Sequence, residues 1–236
     1  MQRFFRKLLL GRVIERSALR TSPLQKRINN IRAIWNNNHQ DDNGIEKIVR
    51  LFLSCSQLLF PGIYIKQIAC KKGREYQDLA LDFYILCKVI FPIVILTNHW
   101  QHNFYILLIL VYLVSETVLY IPTLIFASDL FSRPRSYKRS MMLLFFNYLE
   151  IIFAFAVFYA SHNFLNKPFT HWFDAIYFSI ITSSSIGYGD FYPVTSFGKL
   201  LVSIQAILFL FFILVFLNFF STKIKSTGYF DDENLD

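Results

Sequence analysis

The chain has 236 residues, of which 54% are hydrophobic and 18% aromatic, and it carries a formal net charge of +8. This composition is too apolar for a soluble domain of this size and predicts an integral membrane protein. The positive charge does not indicate nucleic acid as a partner, because the basic residues flank apolar segments, where they set topology and attract anionic headgroups. We therefore expect membrane lipid, and no nucleic acid, around these charges.

The N-terminal region, residues 1–78, is basic and is expected to be cytoplasmic or interfacial. Residues 1–20 fit a transit peptide or a membrane-lying amphipathic helix, although a basic cytoplasmic arm is the simpler interpretation. Residues 48–65 are apolar but are interrupted by polar side chains and by Pro61-Gly62. If this segment crossed the bilayer, one of its basic flanks would lie outside. The sequence thus predicts an interfacial or cytoplasmic helix pair that folds back at Pro61-Gly62.

Four later segments are long and apolar enough to cross a bilayer as helices, which takes about 20 residues. They are residues 79–97, 104–127, 141–164 and 197–220. Most Lys and Arg residues, 21 of 24, lie in residues 1–50, 66–74, 133–139 and 223–225. The positive-inside rule places these clusters, and with them both termini, in the cytoplasm. The expected location is the plasma membrane.

A shorter apolar segment, residues 169–184, cannot cross and predicts a re-entrant half-helix with Thr170 as its N-cap. It runs into residues 182–190, which read T-S-S-S-I-G-Y-G-D. Gly187 and Gly189 can adopt positive φ at little cost, so successive carbonyls can turn toward one axis. A Gly-Tyr-Gly run at membrane depth has one well-understood use, in which backbone carbonyls replace the hydration shell of a potassium ion.

Together with its flanking helices, this segment resembles the pore domain of tetrameric potassium channels. The helix, filter and helix occur in the required order, and Pro193, Thr195 and Gly198 extend the similarity toward the inner helix. The resemblance covers about a third of the chain. It implies an all-α membrane protein with four transmembrane helices and a re-entrant pore helix. Because one chain supplies one filter strand, it also implies a homotetramer, with K⁺ as the permeant ion and no cofactor.

The resemblance assigns the ion-binding positions. The carbonyls of Ser185, Ile186, Gly187 and Tyr188 would form the stacked ion sites, and Gly189 would complete the filter. Ser185 stands where the family usually has Thr. Because serine also carries a hydroxyl, the side chain can still close the innermost site. The missing methyl group removes the stiffness of a β-branched side chain.

Four further residues are expected to support the filter: Thr182, Tyr177, Phe178 and Asp190. In the family, two aromatic residues of the pore helix, often a Trp pair, donate hydrogen bonds to the filter Tyr and to the Asp that follows. Tyr177 can donate to Asp190, whereas Phe178 has no polar atom. We therefore expect a filter with fewer braces, and hypothesise weaker selectivity or less sustained conduction than in Trp-bearing relatives.

The inner helix, residues 197–220, contains no Gly or Pro and therefore no predicted hinge. Counting along its register brings Leu210, Leu214, Leu217 and Asn218 to the pore axis, where a ring of leucines could close the pore by dewetting. Contact with lipid is the alternative for each leucine. A lone amide such as Asn218 needs a polar environment.

Three ionisable residues, Lys88, Glu116 and Glu150, lie inside predicted spans, where an unpaired charge is costly. At a rise of about 1.5 Å per residue, Lys88 and Glu116 reach similar depths on antiparallel helices. We predict a Lys88–Glu116 pair, which either fixes helix register or acts as a proton- or voltage-sensitive switch. No span carries basic residues at every third position, so we expect no voltage sensor of the arginine-rich type.

No pattern in the sequence indicates an enzyme. The three cysteines lack Cys-x-x-Cys spacing, and the pair His99 and His102 lies in an interface turn that needs no metal to explain it. Two alternatives to a channel remain: a transporter, whose known kind carries four degenerate pore loops in one chain, and a non-conducting receptor or scaffold with a vestigial pore. The expected organisation is a basic region at residues 1–78, a two-helix hairpin at 79–140, a pore domain at 141–220 and an acidic tail at 221–236. We expect this tail to be too short for a gating ring.

Overall fold

The computed structural model describes residues 22–37, 44–71, 73–126 and 137–221. In these ranges the chain forms helices and no strand, apart from one isolated antiparallel bridge between Leu165 and Pro193. The helices are α1 (Pro23–Trp35), α2 (Gly44–Ser56), α3 (Pro61–Cys70), α4 (Arg74–Thr97), α5 (Phe104–Phe126), α6 (Tyr137–Ser161), α7 (Trp172–Ser183) and α8 (Ser196–Ser221). The predicted all-α membrane fold is confirmed. The predicted basic arm at residues 1–20 and acidic tail lie outside the described residues, except for Ser221.

Four helices have the length and composition of membrane spans, as the sequence predicts. They are α4, α5, α6 and α8, with spanning segments Tyr76–Thr97, Phe104–Phe126, Lys138–Ser161 and Ser196–Asn218. The first and third begin before the predicted apolar boundaries because their polar first turns are paired. Arg139 at the start of α6 forms ion pairs with Asp78 and Asp82 on α4, so these charged turns remain helical.

The segment around Pro61-Gly62 is a bent helix pair, α2 and α3, with an angle of 60° across the break. The break packs against the middle of α5: the Gly62 amide donates to Glu116 Oε1 at 3.1 Å, and the Tyr112 hydroxyl donates to the Leu59 carbonyl at 2.7 Å. The predicted fold-back at Pro61-Gly62 is thus present as a bend between two helices, and its interfacial or cytoplasmic placement stays a prediction. By length and composition, the bent pair would count as a fifth span if it crossed as one unit.

Helix α6 lies at the centre of the structure and contacts α4, α5, α7 and α8. Half of its 18-residue apolar window is buried, against 22% for the corresponding window of α8. Small and aromatic side chains alternate along its buried face, including Ala154, Phe155 and Tyr159. The alanines allow the pore helix α7 to approach closely, and the aromatic rings fill the space between α7 and α8.

The pore helix α7 begins one residue later than expected. His171, and not Thr170, is its N-cap: the imidazole Nδ1 accepts from the Phe173 amide, while Asp174 accepts from the His171 amide. The Asp174 carboxylate also accepts from the Thr170 amide and hydroxyl at 3.0 and 2.9 Å. Thr170 therefore donates to the cap and does not form it. The hydrogen bond from the His171 amide, together with those from Thr170, holds the pKa of the Asp174 carboxyl below its usual value of 3.8.

Candidate functional site

The filter strand, residues 185–189, continues directly from the last turn of α7. The Ser185 amide donates to the Thr182 carbonyl at 3.2 Å. The amides of Ile186 and Gly187 both donate to the Ile181 carbonyl, at 3.0 and 3.4 Å. The end of the pore helix therefore fixes the start of the filter strand through backbone hydrogen bonds.

Every second residue of the filter strand has a positive φ. The angles are 58° at Ser185, 56° at Gly187 and 82° at Gly189. In a uniform extended strand successive carbonyls point to opposite sides, whereas alternating the backbone hand turns them toward one side. The positive φ predicted for both glycines is confirmed. At Ser185 this conformation costs about 1–2 kcal/mol, and a β-branched Thr would tolerate it less well.

The filter strand makes few contacts with its own chain. Ile186 is 54% exposed and Tyr188 is 70% exposed. A Cβ added at Gly187 or Gly189 would meet no other atom within 4 Å, apart from its chain neighbours. Within a bilayer, a strand with this much exposed backbone needs further protein, ions or a water-filled cavity beside it.

The segment that follows the filter strand, residues 190–194, is held by a residue that sequence reasoning missed, Asn166. Its backbone amide donates to the Tyr192 carbonyl, its side-chain carbonyl accepts from the Tyr192 amide, and its side-chain NH₂ donates to the Asp190 carbonyl, at 3.0, 3.0 and 3.3 Å. The neighbouring Phe164 carbonyl accepts from the Val194 amide at 3.0 Å. A single Asn in a loop carries no sequence pattern that would have identified it.

Phe178 supports this same region through aromatic packing. Its ring centroid lies 4.8 Å from that of Tyr159, 6.4 Å from Phe169 and 6.2 Å from Phe191. The Lys167 ammonium lies 4.4 Å from the Phe191 ring centroid, which adds a cation–π contact. Phe178 therefore packs against the strand that follows the filter, as an apolar ring without a hydrogen bond.

The other predicted support residues lie close to the filter. The Tyr177 hydroxyl interacts electrostatically with the Asp190 carboxylate, while Thr182 supplies the carbonyl that accepts from Ser185. Asp190 Oδ1 is buried and, among the described residues, has no hydrogen-bond partner within 3.5 Å. The roles of Tyr177, Thr182 and Asp190 in ion selection stay predictions.

The residues of the predicted gate share one face of α8. Leu210, Leu214 and Leu217 are each more than half exposed, and Asn218 is exposed beside them. The opposite face of the helix carries Phe212, which is buried against the rest of the chain. The leucine face is thus free for a pore, another subunit or lipid, and its role as a gate stays a prediction.

An ionic cluster lies where α4, α5 and α6 meet; it comprises Lys88, Glu116, Glu150, Thr117 and Tyr84. The Lys88 ammonium lies 3.4 Å from Glu116 Oε2, the predicted partner, and 3.2 Å from Glu150 Oε1. It donates to the Thr117 hydroxyl at 2.7 Å, and that hydroxyl donates to Glu150 Oε2 at 2.8 Å. The Tyr84 hydroxyl donates to Glu116. Depth counting could not assign Glu150, because it does not say which helices face each other.

A second buried set, the amide network, joins α6, α7 and α8; it comprises Tyr159, Gln205, Ser179 and the Ile152 carbonyl. Gln205 Nε2 donates to the carbonyl and the hydroxyl of Ser179 at 3.0 and 2.8 Å, and Gln205 Oε1 accepts from the Tyr159 hydroxyl at 2.7 Å. The Ser179 hydroxyl donates to the Ile152 carbonyl at 2.6 Å. Sequence reasoning missed this network. Its only signal was a glutamine inside an apolar span.

The site offers backbone oxygens and few ligands for a resident metal. Among the described residues, no group of three or more His, Cys, Asp or Glu side chains is placed to hold a metal ion. His102 of the predicted interface turn instead interacts with the Ser161 carbonyl through Nδ1, at 2.9 Å. A rigid pore helix, a strand of turned carbonyls and a braced exit strand suit reversible coordination of a weakly hydrated cation.

Comparison with known proteins points to the same region. Residues 144–226 match a family model described as "Ion channel". The match includes most of α6, all of α7, the filter strand and α8, which is about a third of the chain. No solved structure matches the chain significantly.

Curated relatives match over a shorter segment. Potassium voltage-gated channel subfamily A member 6 from Mus musculus is 36% identical over 67 residues, which is 28% of this chain and 13% of the relative. The proteins of the same name from Rattus norvegicus and Homo sapiens give the same identity and coverage. The chain thus matches a small part of these relatives.

Proposed function

We propose that this protein is a potassium-selective channel that conducts K⁺ passively through a homotetrameric filter. The observation that carries the proposal is the alternation of positive φ at Ser185, Gly187 and Gly189 directly after a pore helix. The family match over residues 144–226 and the potassium channels among the relatives support it. The exposed filter strand fits four-fold assembly, because four such strands surround one axis with their carbonyls.

Conduction in this arrangement is backbone chemistry. The carbonyls of Ser185, Ile186, Gly187 and Tyr188 replace the water around a K⁺ ion, and adjacent sites let ions repel one another forward. The C-terminal end of α7 leads into the filter, and its partial negative charge favours a cation at that point. The side chains position these oxygens and take no part in covalent chemistry.

The rest of the proposed channel follows from the topology. We place it in the plasma membrane, with both termini in the cytoplasm and the loop around Asn166 outside. The leucines of α8 form the cytoplasmic gate, and the spans need no arginine-rich sensor. Lipid, including anionic headgroups, surrounds the basic flanks.

The decisive experiment measures potassium flux into liposomes that contain the purified protein. We expect barium-sensitive K⁺ flux from the wild type and its loss in Gly187→Ala. An alanine at this position meets no other atom of its own chain within 4 Å, so within the subunit the loss would come from the strained φ of 56°.

The matched control is Gly44→Ala. Gly44 has a φ of 61° and also meets no atom within 4 Å, but it lies at the start of α2, outside the filter. It carries the same conformational cost and should keep its flux. A wild type that inserts into the liposomes, yet passes no K⁺, would overturn the proposal and favour a receptor or scaffold with a vestigial pore.

A further inference from the structure

We infer that Gln205 is a positioning residue for the filter: from the inner helix, its side-chain amide fixes the pore helix that carries the filter strand. The inference rests on the proposed function, since the position of the filter matters here for ion selection. It deepens that function by naming a determinant of selectivity in α8, away from the filter motif.

The amide network is buried, and its side chains satisfy one another. Tyr159 and Gln205 are each 1% exposed, and Ser179 is fully buried. Gln205 donates twice to Ser179 and accepts once from Tyr159, and the Ser179 hydroxyl donates a hydrogen bond to the Ile152 carbonyl. Each polar side chain therefore has a partner, and the hydrogen bonds form a circuit from α6 to α8 to α7 and back to α6. A fully satisfied buried network favours one arrangement of its helices.

The chemistry of the circuit fixes the orientation of the amide. A backbone carbonyl can only accept, so the Ser179 carbonyl requires the NH₂ group of Gln205 on its side. The carbonyl oxygen of Gln205 then faces Tyr159, which must donate. Reversing the amide would place two acceptors side by side, which is unfavourable. The network therefore favours a single register of α7 against α8.

The position of Ser179 is transmitted to the filter over a short distance. Ser179 precedes Ile181 by two residues on the same helix, and the Ile181 carbonyl accepts the amides of Ile186 and Gly187. A shift of α7 along or around its axis would therefore move the first filter carbonyls. Small errors of position at a coordinating site can cost large factors in selectivity or rate.

The filter has a specific need for this support. Phe178 contributes an apolar ring without a hydrogen bond, and the Tyr188 side chain is 70% exposed. The amide network holds the pore helix from its buried side, one residue beyond Phe178. From α8, Gln205 thus supplies a hydrogen-bonded brace to the pore helix, whose second aromatic residue, Phe178, cannot donate.

The test uses the full-length protein with the double substitution Gln205→Met and Tyr159→Phe. Methionine keeps the volume of glutamine, and the phenylalanine leaves no buried hydroxyl without a partner, so the fold should be retained. The measured quantity is the K⁺/Na⁺ permeability ratio in liposomes. We expect it to fall about three- to tenfold, the equivalent of about one lost neutral hydrogen bond.

Two further variants separate positioning from general stability. Gln205→Glu regains one donor when it is protonated, so it should keep part of the permeability ratio that the double variant loses. Ser203→Ala removes a hydroxyl that donates only to the Lys199 carbonyl within α8, at 2.9 Å, and should leave the ratio unchanged. An unchanged ratio in the double variant, or an equal fall in Ser203→Ala, would overturn the inference.

A second measurement separates this inference from the proposed function. Absence of K⁺ flux in the wild type would overturn the conduction proposal. Gln205 would then be judged by the thermal stabilisation of the purified protein in K⁺ relative to Na⁺. We expect this stabilisation in the wild type and its reduction in the double variant, and equal stabilisation in both would overturn the positioning role.

Discussion

The ionic cluster and the amide network lie on the same helix, α6, but they hold different kinds of group. Glu150 belongs to the ionic cluster, and two residues later the Ile152 carbonyl belongs to the amide network. The ionic cluster combines one ammonium with two carboxylates, whereas the amide network is neutral. Both are buried, so the difference lies in what happens when one member is removed.

Charge makes the ionic cluster intolerant of a single loss. Removing one partner leaves a buried charge without compensation, while a neutral network loses hydrogen bonds that contribute about 1 kcal/mol each. The ionic cluster connects the hairpin α4–α5 to the pore domain, and the amide network lies within the pore domain. We therefore expect the ionic cluster to determine assembly and the amide network to determine filter geometry.

The largest expected effect comes from Lys88→Met. The side chains of Lys88 and Glu150 are 4% and 1% exposed, so this change leaves a buried carboxylate without its ammonium. We expect a loss of about 3–5 kcal/mol in the free energy of unfolding. The measurement is thermal unfolding in detergent, with the recovered fraction by size exclusion.

Two companion variants test the reason for that loss. Lys88→Met combined with Glu150→Gln removes the unpaired charge and should recover part of the stability. Lys199→Met removes an exposed lysine at the start of α8 and should have little effect. If Lys88→Met were as stable as the wild type, the contrast between the charged and the neutral set would fail.

The filter and the four spans could be predicted from the sequence because each depends on a local pattern. Hydropathy identifies a span, and the spacing of Gly187 and Gly189 identifies a strand of turned carbonyls. The contacts of Glu150, Asn166 and Gln205 could not be predicted in this way. Each is a single polar residue whose partner lies more than twenty residues away, and the sequence does not show which helix faces face each other.

One local expectation, the N-cap of α7, was wrong, and one contact of the bent pair was missed for the same kind of reason. Thr170 is a good N-cap by residue type, but His171 forms the cap because Asp174 accepts from both residues. The break at Pro61-Gly62 packs against Glu116, whose half-buried carboxylate accepts from the Gly62 amide. No local pattern in the sequence predicts this contact. In both cases a carboxylate that needs donors determined the local structure.

A smaller effect is expected from Gly62→Ala, which tests how the bent pair attaches to the ionic cluster. A Cβ at this position would lie 2.5 Å from Glu116 Oε1, so the carboxylate would have to move away from the Gly62 amide. We expect a loss of about 1–3 kcal/mol in the free energy of unfolding, as for other overpacked sites. In a helix without this clash, the same change would stabilise by about 1 kcal/mol.

A double-mutant cycle with Glu116→Ala identifies the cause. Glu116→Ala removes the clash but retains the pair of Lys88 and Glu150, so Gly62→Ala should no longer destabilise in that background. Equal losses in both backgrounds would mean that the bent pair is not held by Glu116, and that the ionic cluster ends at α5.

The smallest effect is expected from Asp174→Asn, which removes a half-buried charge from the cap of α7, outside the two buried sets. The backbone amide of His171 is the main cause of the lowered pKa of Asp174. A lowered pKa contributes stability that is present above the usual value of 3.8 and is lost as the pH falls through the folded value. Since solvent screens this carboxylate, we expect a loss of no more than about 1 kcal/mol at pH 7. Unfolding temperatures of wild type and variant should converge only as the pH falls from 7 through the lowered pKa of Asp174, where both caps become neutral. If the two unfolding temperatures still differed at low pH, the cap would act through the geometry of its hydrogen bonds, as the neutral amide network does, and not through charge.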